Sequence, residues 1–382
     1  MLLPAHDEVT AVKIVYLHRS PVPARSANSI QVMRTCEAFA RLGHSVTLVV
    51  VDGAPEATDG QVLANYGVCG FALDRIPAYS RAGRIRRYAR VIDSVRRARQ
   101  HRPDLLYGRD PTTIHFATKV ARASAIYEAH APVDLHHGRM GRWAFNQLRR
   151  NRRLLGVVTN SSALREHFAA TSPEFTVVCA PNAVHPPETS PVLPPGDRLR
   201  VGYAGHLYPG RGIDVIVDLA SRCKWADFHL VGGEEDDLVL WRERTSSLAN
   251  VTFHGFVPPA QVDAYLASFD ILLAPYQEQV NVSGGSGDWA RWMSPLKLAQ
   301  YMAHGKPIIC SDHSVLGDLV DSDVAILAPP ADLAAWERAL RDLAEHTERR
   351  QQLGAAALQR YEQCHTAEAR ARRILDALSA DQ

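Results

Sequence analysis

A chain of 382 residues is long enough to form two domains of ordinary size, each with its own core. Its 46% hydrophobic and 22% charged content is that of a globular protein, and a net charge of +2 is too small to argue for nucleic acid or a strongly acidic partner. No apolar run reaches the roughly 18 to 20 residues of a membrane span, and the start, MLLPAHDEVTAVKIVYL, lacks the basic-then-apolar order of a signal peptide, so a cytoplasmic location is expected.

The first half opens with VKIVYLH (12–18), a β-branched run suited to a buried parallel strand. A polar loop follows, then an amphipathic helix, IQVMRTCEAFARLG, ending at Gly43, and a second strand, SVTLVVV. The strongly basic segment 80–102 reads as a helix, either a solvated face or a surface drawn to an anionic membrane or acceptor. Strand-like runs recur at DLLYG (104–108), SAIYEAH (124–130), LGVVTN (155–160) and FTVVCAP (175–181), with helical segments between several of them. Residues 181–197 carry six prolines and no apolar periodicity, the composition of a linker.

After the linker the pattern restarts: RLRVGYAG as strand, HLYPGRG as loop, IDVIVDLASRC as helix and DFHLVGG as strand. Further strands are expected at VTFHGF, DILLAPY, PIICSD and VAILAP, and the chain is expected to be helical from about Asp332 onward. Such alternation predicts an α/β protein with two Rossmann-like, doubly wound parallel-sheet domains facing a cleft. The expected division is 1–185, 198–360, and a terminal helix over 361–382 that packs back on the first domain. The six cysteines form no C-x-x-C pair and have no histidine at metal-ligand spacing, so they are read as reduced, and no metal site is expected. Lysine supplies only five of the 43 basic residues, a bias that points to a GC-rich bacterial genome rather than to a binding function.

Ligands bind such sheets outside the carboxyl ends of the strands. There, VGYAGHLYPGRGID (201–214) has the form of a phosphate cradle: Gly205 permits close backbone approach, Gly210 and Gly212 supply the turn, and Arg211 offers a fork of donors. In SPLKLAQYMAHGKPI (294–308), Ser294 reads as a helix N-cap, Pro295 as the first helical residue and Gly305 as the residue just past the end. Lys297 therefore falls in the first turn, where the positive end of the helix makes a cation unfavourable unless an anion joins it. Two cations and two helix amino ends converging on one cleft fit a diphosphate. The loop SGGSGDWARW (283–292) just upstream is expected to touch substrate.

In order, GYAGHLYPGRGID, FHLVGG, VTFHGFVPPAQVDAYLASFDILLAPY and SPLKLAQYMAHGKPIICSD resemble the donor-binding domain of the GT-B retaining glycosyltransferases of family 4. ANSIQVM, FARLGHSVTLV, YEAH and VVCAPNAV extend the resemblance over nearly the whole chain. It implies a GT-B architecture and transfer of a sugar from a nucleotide-diphosphate sugar, with retention and without a metal or other cofactor, to a small-molecule or lipid-linked acceptor. It implies that Arg211 and Lys297 hold the diphosphate, that Gly205 and His206 line the sugar-phosphate site, and that the backbone at Phe256 and Val257 meets the nucleobase. Ser294, Leu296 and Gln300 complete the expected donor site, and His130 is expected to face the donor sugar. On the acceptor side Asn28, Ser29, Arg109 and the loop carboxylate Asp288 are candidates. Two glutamates common in relatives are replaced here by Trp292 and Gln300; the glutamine offers one acceptor oxygen and an NH2 where relatives have a carboxylate for the ribose hydroxyls. Two other readings stay open at this point: an enzyme that converts the nucleotide sugar itself, as 2-epimerases do, and an inactive nucleotide-binding relative.

Overall fold

The computed structural model describes residues 11–78, 84–279 and 290–379. The first sheet holds β1 (Lys13–Val22), β2 (Ser45–Asp52), β3 (Ala72–Ile76), β4 (Leu105–Gly108), β5 (Ser124–Ala129), β6 (Leu154–Thr159) and β7 (Thr176–Cys179). Its helices are α1 (Ala27–Arg41), α2 (Asp59–Tyr66), α3 (Arg84–His101), α4 (Pro111–Ala121), α5 (Val133–His136), α6 (Arg139–Leu148) and α7 (Ser162–Thr171). The second sheet holds β8 (Leu199–Ala204), β9 (Ala226–Val231), β10 (Val251–Gly255), β11 (Ile271–Ala274), β12 (Ile308–Ser311) and β13 (Ile326–Ala328). With it go α8 (Ile213–Arg222), α9 (Glu235–Arg244), α10 (Pro259–Ala267), α11 (Leu296–Ala303), α12 (Leu333–Glu345), α13 (Thr347–Arg360) and α14 (Ala367–Ser379).

Every strand pairing within the sheets is parallel, and the orders are β3-β2-β1-β4-β5-β6-β7 and β10-β9-β8-β11-β12-β13. Each order reverses direction once, between β1 and β4 and between β8 and β11, and the crevice at such a reversal is where these sheets bind ligands. The inner stretches of the central strands are largely apolar because helices cover both faces; Ile14 to Tyr16, Val49 and Leu106 are fully buried. The one strand that the sequence pattern misses is β3. It is an edge strand whose Asp74 and Arg75 interrupt any apolar run, and both are paired, Asp74 with Arg97 of α3 and Arg75 with Asp52 of β2. Helix α1 starts three residues earlier than its apolar period suggests, because the Ser26 hydroxyl accepts from the Ser29 amide and fixes the start at Ala27.

The chain crosses between the halves twice, and the two crossings are bonded to each other. Val184 N–H donates to the His365 carbonyl at 3.3 Å, Ala367 N–H donates to the Val184 carbonyl at 2.8 Å, and the Tyr361 hydroxyl donates to that same carbonyl. Beyond this point α14 lies on α1 and on β6 and β7, with Leu378 so close over Gly156 that a Cβ there would sit 2.4 Å from it. Among the described residues no helix is long and apolar enough to cross a membrane.

Candidate active site

The strand ends of both sheets face one cavity of about 530 Å³, within the usual range for a small-molecule site. On the first sheet the residue after each of three neighbouring strands points into it: Arg109 after β4, His130 after β5 and Asn160 after β6. On the second, β8 delivers Gly205 and His206, β9 Gly232 and Gly233, β10 Phe256 and Val257, and β11 Tyr276. Lys297 enters from the first turn of α11.

Two cations share this wall. The Lys297 ammonium lies 3.7 Å from the ring centre of Tyr203 and 5.2 Å from that of Tyr276, while the Arg211 guanidinium lies 5.6 Å from the Tyr276 ring and donates to the Tyr208 hydroxyl. Tyr276 thus carries one cation on each approach. Burial, reinforced by the nearby Arg211 charge, lowers the Lys297 ammonium well below the ordinary lysine value. No carboxylate pairs with Lys297 among the described residues; the aromatic rings are what hold it. His206, stacked on Tyr208, is kept neutral by burial and by the same two cations.

The glycines here are required by contact. Gly205 has φ +148, and a Cβ on it would lie 3.0 Å from the Lys297 nitrogen. Gly212, in the left-handed region at φ +76 where α8 begins, would put a Cβ 1.8 Å from the Pro275 carbonyl oxygen. Gly212→Ala is therefore expected to cost at least about 2 kcal/mol of stability, read as a lowered urea midpoint, whereas Gly205→Ala should keep the fold and weaken anion binding.

The opposite wall is organised by one carboxylate, Glu128. Fully buried on β5, it accepts from Arg109 at 3.0 Å, from Arg370 of α14 at 2.7 Å and from His130 Nε2 at 2.9 Å. Burial would raise its pKa, but Arg109, Arg370 and His130 outweigh that and hold it well below the usual carboxylate range. The same burial and the Arg109 charge lower His130 to about 4. His130 is thus a neutral imidazole with its proton on Nε2, and Asn160 donates to Nδ1 at 3.4 Å.

Across the mouth, Arg25 joins the two halves: it pairs with Glu234 at 2.7 Å and lies 4.1 Å over the Phe256 ring.

Of the residues picked out by sequence, Asn28, Arg109 and His130 line the cavity from the first half, and Gly205, His206, Arg211, Phe256 and Val257 from the second. Ser294, Leu296, Lys297 and Gln300 line it from the α11 segment. Ser29 does not. It is fully buried in the first turn of α1, with its hydroxyl against that of Ser26, so it shapes the helix start and offers nothing to an acceptor. Asp288 and most of its loop lie outside the described residues. Ser294 does not cap α11 either: the helix begins at Leu296 after Pro295 with no side-chain cap, and the Ser294 hydroxyl accepts the Asn182 amide from the inter-domain segment instead. Arg109 is committed to Glu128 and Asn28, so it reaches the cavity as part of a network rather than as a free cation. Trp292 crosses to pack in the core of the first half, against His167 at 5.6 Å. Gln300 Nε2 donates to Asp263 at 3.4 Å, and Asp263 also accepts from His304. Sequence reasoning missed Arg25, Tyr276 and Glu128; the last was visible as the acid in YEAH, two residues before His130.

Two facing parallel-sheet domains with the ligand cavity between their strand ends define the GT-B class. The profile described as "Glycosyltransferase Family 4" matches residues 29–187, and that described as "Glycosyl transferases group 1" matches residues 198–346. The chain belongs to the group 1 glycosyltransferases. No curated protein matches it. Among solved structures it is similar to HepE from Anabaena in complex with UDP and glucose, at 18% identity and a TM-score of 0.72 over 97% of this chain and 100% of that one. It is also similar to sucrose-phosphate synthase from Thermosynechococcus elongatus, at 16% identity and a TM-score of 0.71 over 97% and 100% of the two chains.

Proposed function

We propose that the protein is a retaining glycosyltransferase that takes a nucleotide-diphosphate sugar as donor and works without a metal. The observation that carries this reading is Lys297: a buried ammonium, beside a second cation, held over aromatic rings at the mouth of a glycine-walled cavity. A folded protein keeps such a group when an anion is to join it. UDP and UDP-glucose in the HepE structures supply the chemistry to test first.

In this reading the bond between the sugar's anomeric carbon and the diphosphate oxygen breaks. The acceptor's oxygen, nitrogen or sulfur bonds that carbon on the same face, and its proton passes to the departing diphosphate. Arg211, Lys297 and the backbone N–H groups of the α8 and α11 starts neutralise the developing charge, which is the main electrostatic task. His130 Nδ1, bonded only at 3.4 Å by Asn160, is the atom free to accept from a sugar hydroxyl, because Nε2 is committed to Glu128. Gln300, its nitrogen given to Asp263, keeps its carbonyl oxygen for the ribose that a glutamate would bind. The nucleobase lies along Phe256 and Val257. The acceptor enters beside Asn28 and Arg109.

A thermal-shift panel of UDP, GDP, TDP, ADP and CMP tests this. One nucleoside diphosphate at 100 times its Kd should add about 2.7 kcal/mol of stability. A flat response to all five would sink the donor assignment, and turnover of a nucleotide sugar with no acceptor present would replace transfer by conversion of the donor.

A further inference from the structure

Most of the large apolar side chains that stand exposed among the described residues fall on the helices α3 to α6 of the first domain, and none of these side chains lines the cavity. Of these helices, α3, α4 and α6 pack side by side and form one face. Tyr88 and Ile92 project from α3, one turn apart; Phe116 and Val120 project from α4, again one turn apart; Met140 and Trp143 lie on α6, and Leu135 lies on α5 just before the cavity-lining His136. The rings of Phe116 and Trp143 are 6.2 Å apart, so α4 and α6 present a single aromatic surface. A contiguous apolar patch of this kind on a folded domain marks a contact surface.

The charge around the patch is predominantly positive. Between Pro111 and Arg153 the sequence has eight lysines and arginines and two carboxylates. Of the carboxylates in that stretch, Glu128 is sealed beneath the cavity and Asp134 is exposed; outside it, α3 carries Asp93, and Glu174 pairs with Arg149. The far ends of α4 and α6 form a shallow basic basin lined by Lys119, Arg150, Arg152 and Arg153. Arg102 and Arg122, which follow α3 and α4 at the same edge, are the only non-glycine residues with positive φ among the described residues. That conformation favours glycine or asparagine, so cations stand there against local preference.

We propose that this face docks the protein on an anionic lipid bilayer, the aromatic and aliphatic side chains entering the interface and the arginine rim lying among the headgroup phosphates. Apolar insertion combined with a polybasic rim is the pairing that gives reversible binding to an anionic membrane surface. A second copy of the chain fits poorly, because a two-fold contact through this face would bring the two arginine rims together. Nucleic acid fits poorly too: Ile92, Val120, Leu135 and Met140 cannot stack on bases as aromatic platforms do.

Co-sedimentation with vesicles tests this, comparing pure phosphatidylcholine with phosphatidylcholine in which about one third of the lipid is phosphatidylglycerol. The full chain should pellet with the anionic vesicles only, and less so as salt shortens the screening length. The double variant Phe116→Ser/Trp143→Ser and the triple variant Arg150→Glu/Arg152→Glu/Arg153→Glu should each weaken binding at least about tenfold, with the thermal melting temperature unchanged. Both lie outside the cavity, so a nucleotide response kept while vesicle binding is lost separates this proposal from the transferase reading. Three results overturn it: no pelleting with anionic vesicles at low salt, pelleting untouched by both variants, or a dimer in solution that Phe116→Ser/Trp143→Ser makes monomeric. Preference for a single-stranded oligonucleotide over vesicles would do the same.

Discussion

Lys297→Ala should lower turnover about 100- to 1,000-fold while leaving the ligand-free protein at least as stable as the parent. The two effects have opposite signs for one reason. In the empty cavity the ammonium is buried beside Arg211, and burial and that charge together disfavour its protonated form. Replacing it removes a strained charge and breaks no ion pair. In the donor complex proposed above the same ammonium meets a diphosphate, and its loss leaves the departing phosphates uncompensated. The titration supplies a second readout. The diphosphate binds the protonated lysine, so affinity is greatest below the lysine's lowered value in the free protein and falls as pH rises through it. At alkaline pH, where the terminal phosphate is already fully ionised, nucleotide binding should take up a proton. Calorimetry in buffers of different ionisation enthalpy measures that uptake, and Lys297→Ala should abolish it. An alanine variant with unchanged turnover would remove the central assignment.

Glu128→Gln should destabilise the fold by about 3 to 5 kcal/mol, the largest stability effect expected here for a single amide substitution. The carboxylate compensates Arg109 and Arg370 in a fully buried position, and a neutral amide of the same shape leaves both cations without their counter-charge. Its folded pKa is depressed, so its stabilisation is fully present above the ordinary carboxylate value and is lost only as pH falls through the depressed one. Parent and variant should therefore differ by the full amount at neutral pH and converge only in acid. Urea unfolding at neutral pH measures the gap, and a difference below about 1 kcal/mol would show the network to be no stronger than a surface ion pair. Because Arg370 sits on α14, the variant should also loosen the C-terminal helix, visible as faster amide exchange there.

Much of the architecture was legible because buried parallel strands must be apolar from end to end and helices between them must be amphipathic. The edge strand β3 was not, since its outer position lets Asp74 and Arg75 find partners on α3 and β2. The cavity wall of the second half was legible through glycines whose spacing has a steric cause, as at Gly205 and Gly212, and through a lysine placed against the helix dipole. Two serines were read less well. Ser29 looked like a loop hydroxyl and proved to be a helix-start residue, and the role assigned to Ser294 belongs to a bond with Asn182, 112 positions away in sequence. Contacts of that separation leave no local signature. Arg25 carried no signal in its own loop, because both of its partners, Glu234 and Phe256, come from the other half.

The paired crossing at Val184 and Thr366 has a mechanical consequence. A single proline-rich tether would let the halves swivel about any axis, and each visit to the closed arrangement would have to be found among many. Two strands tied side by side behave as a door with two knuckles. They resist twist and shear and yield mainly to bending across their common line. Any movement of one half against the other would thereby be confined mainly to one rotation, and reversing it would return Arg25 to Glu234 and Lys297 to its place in the cavity wall.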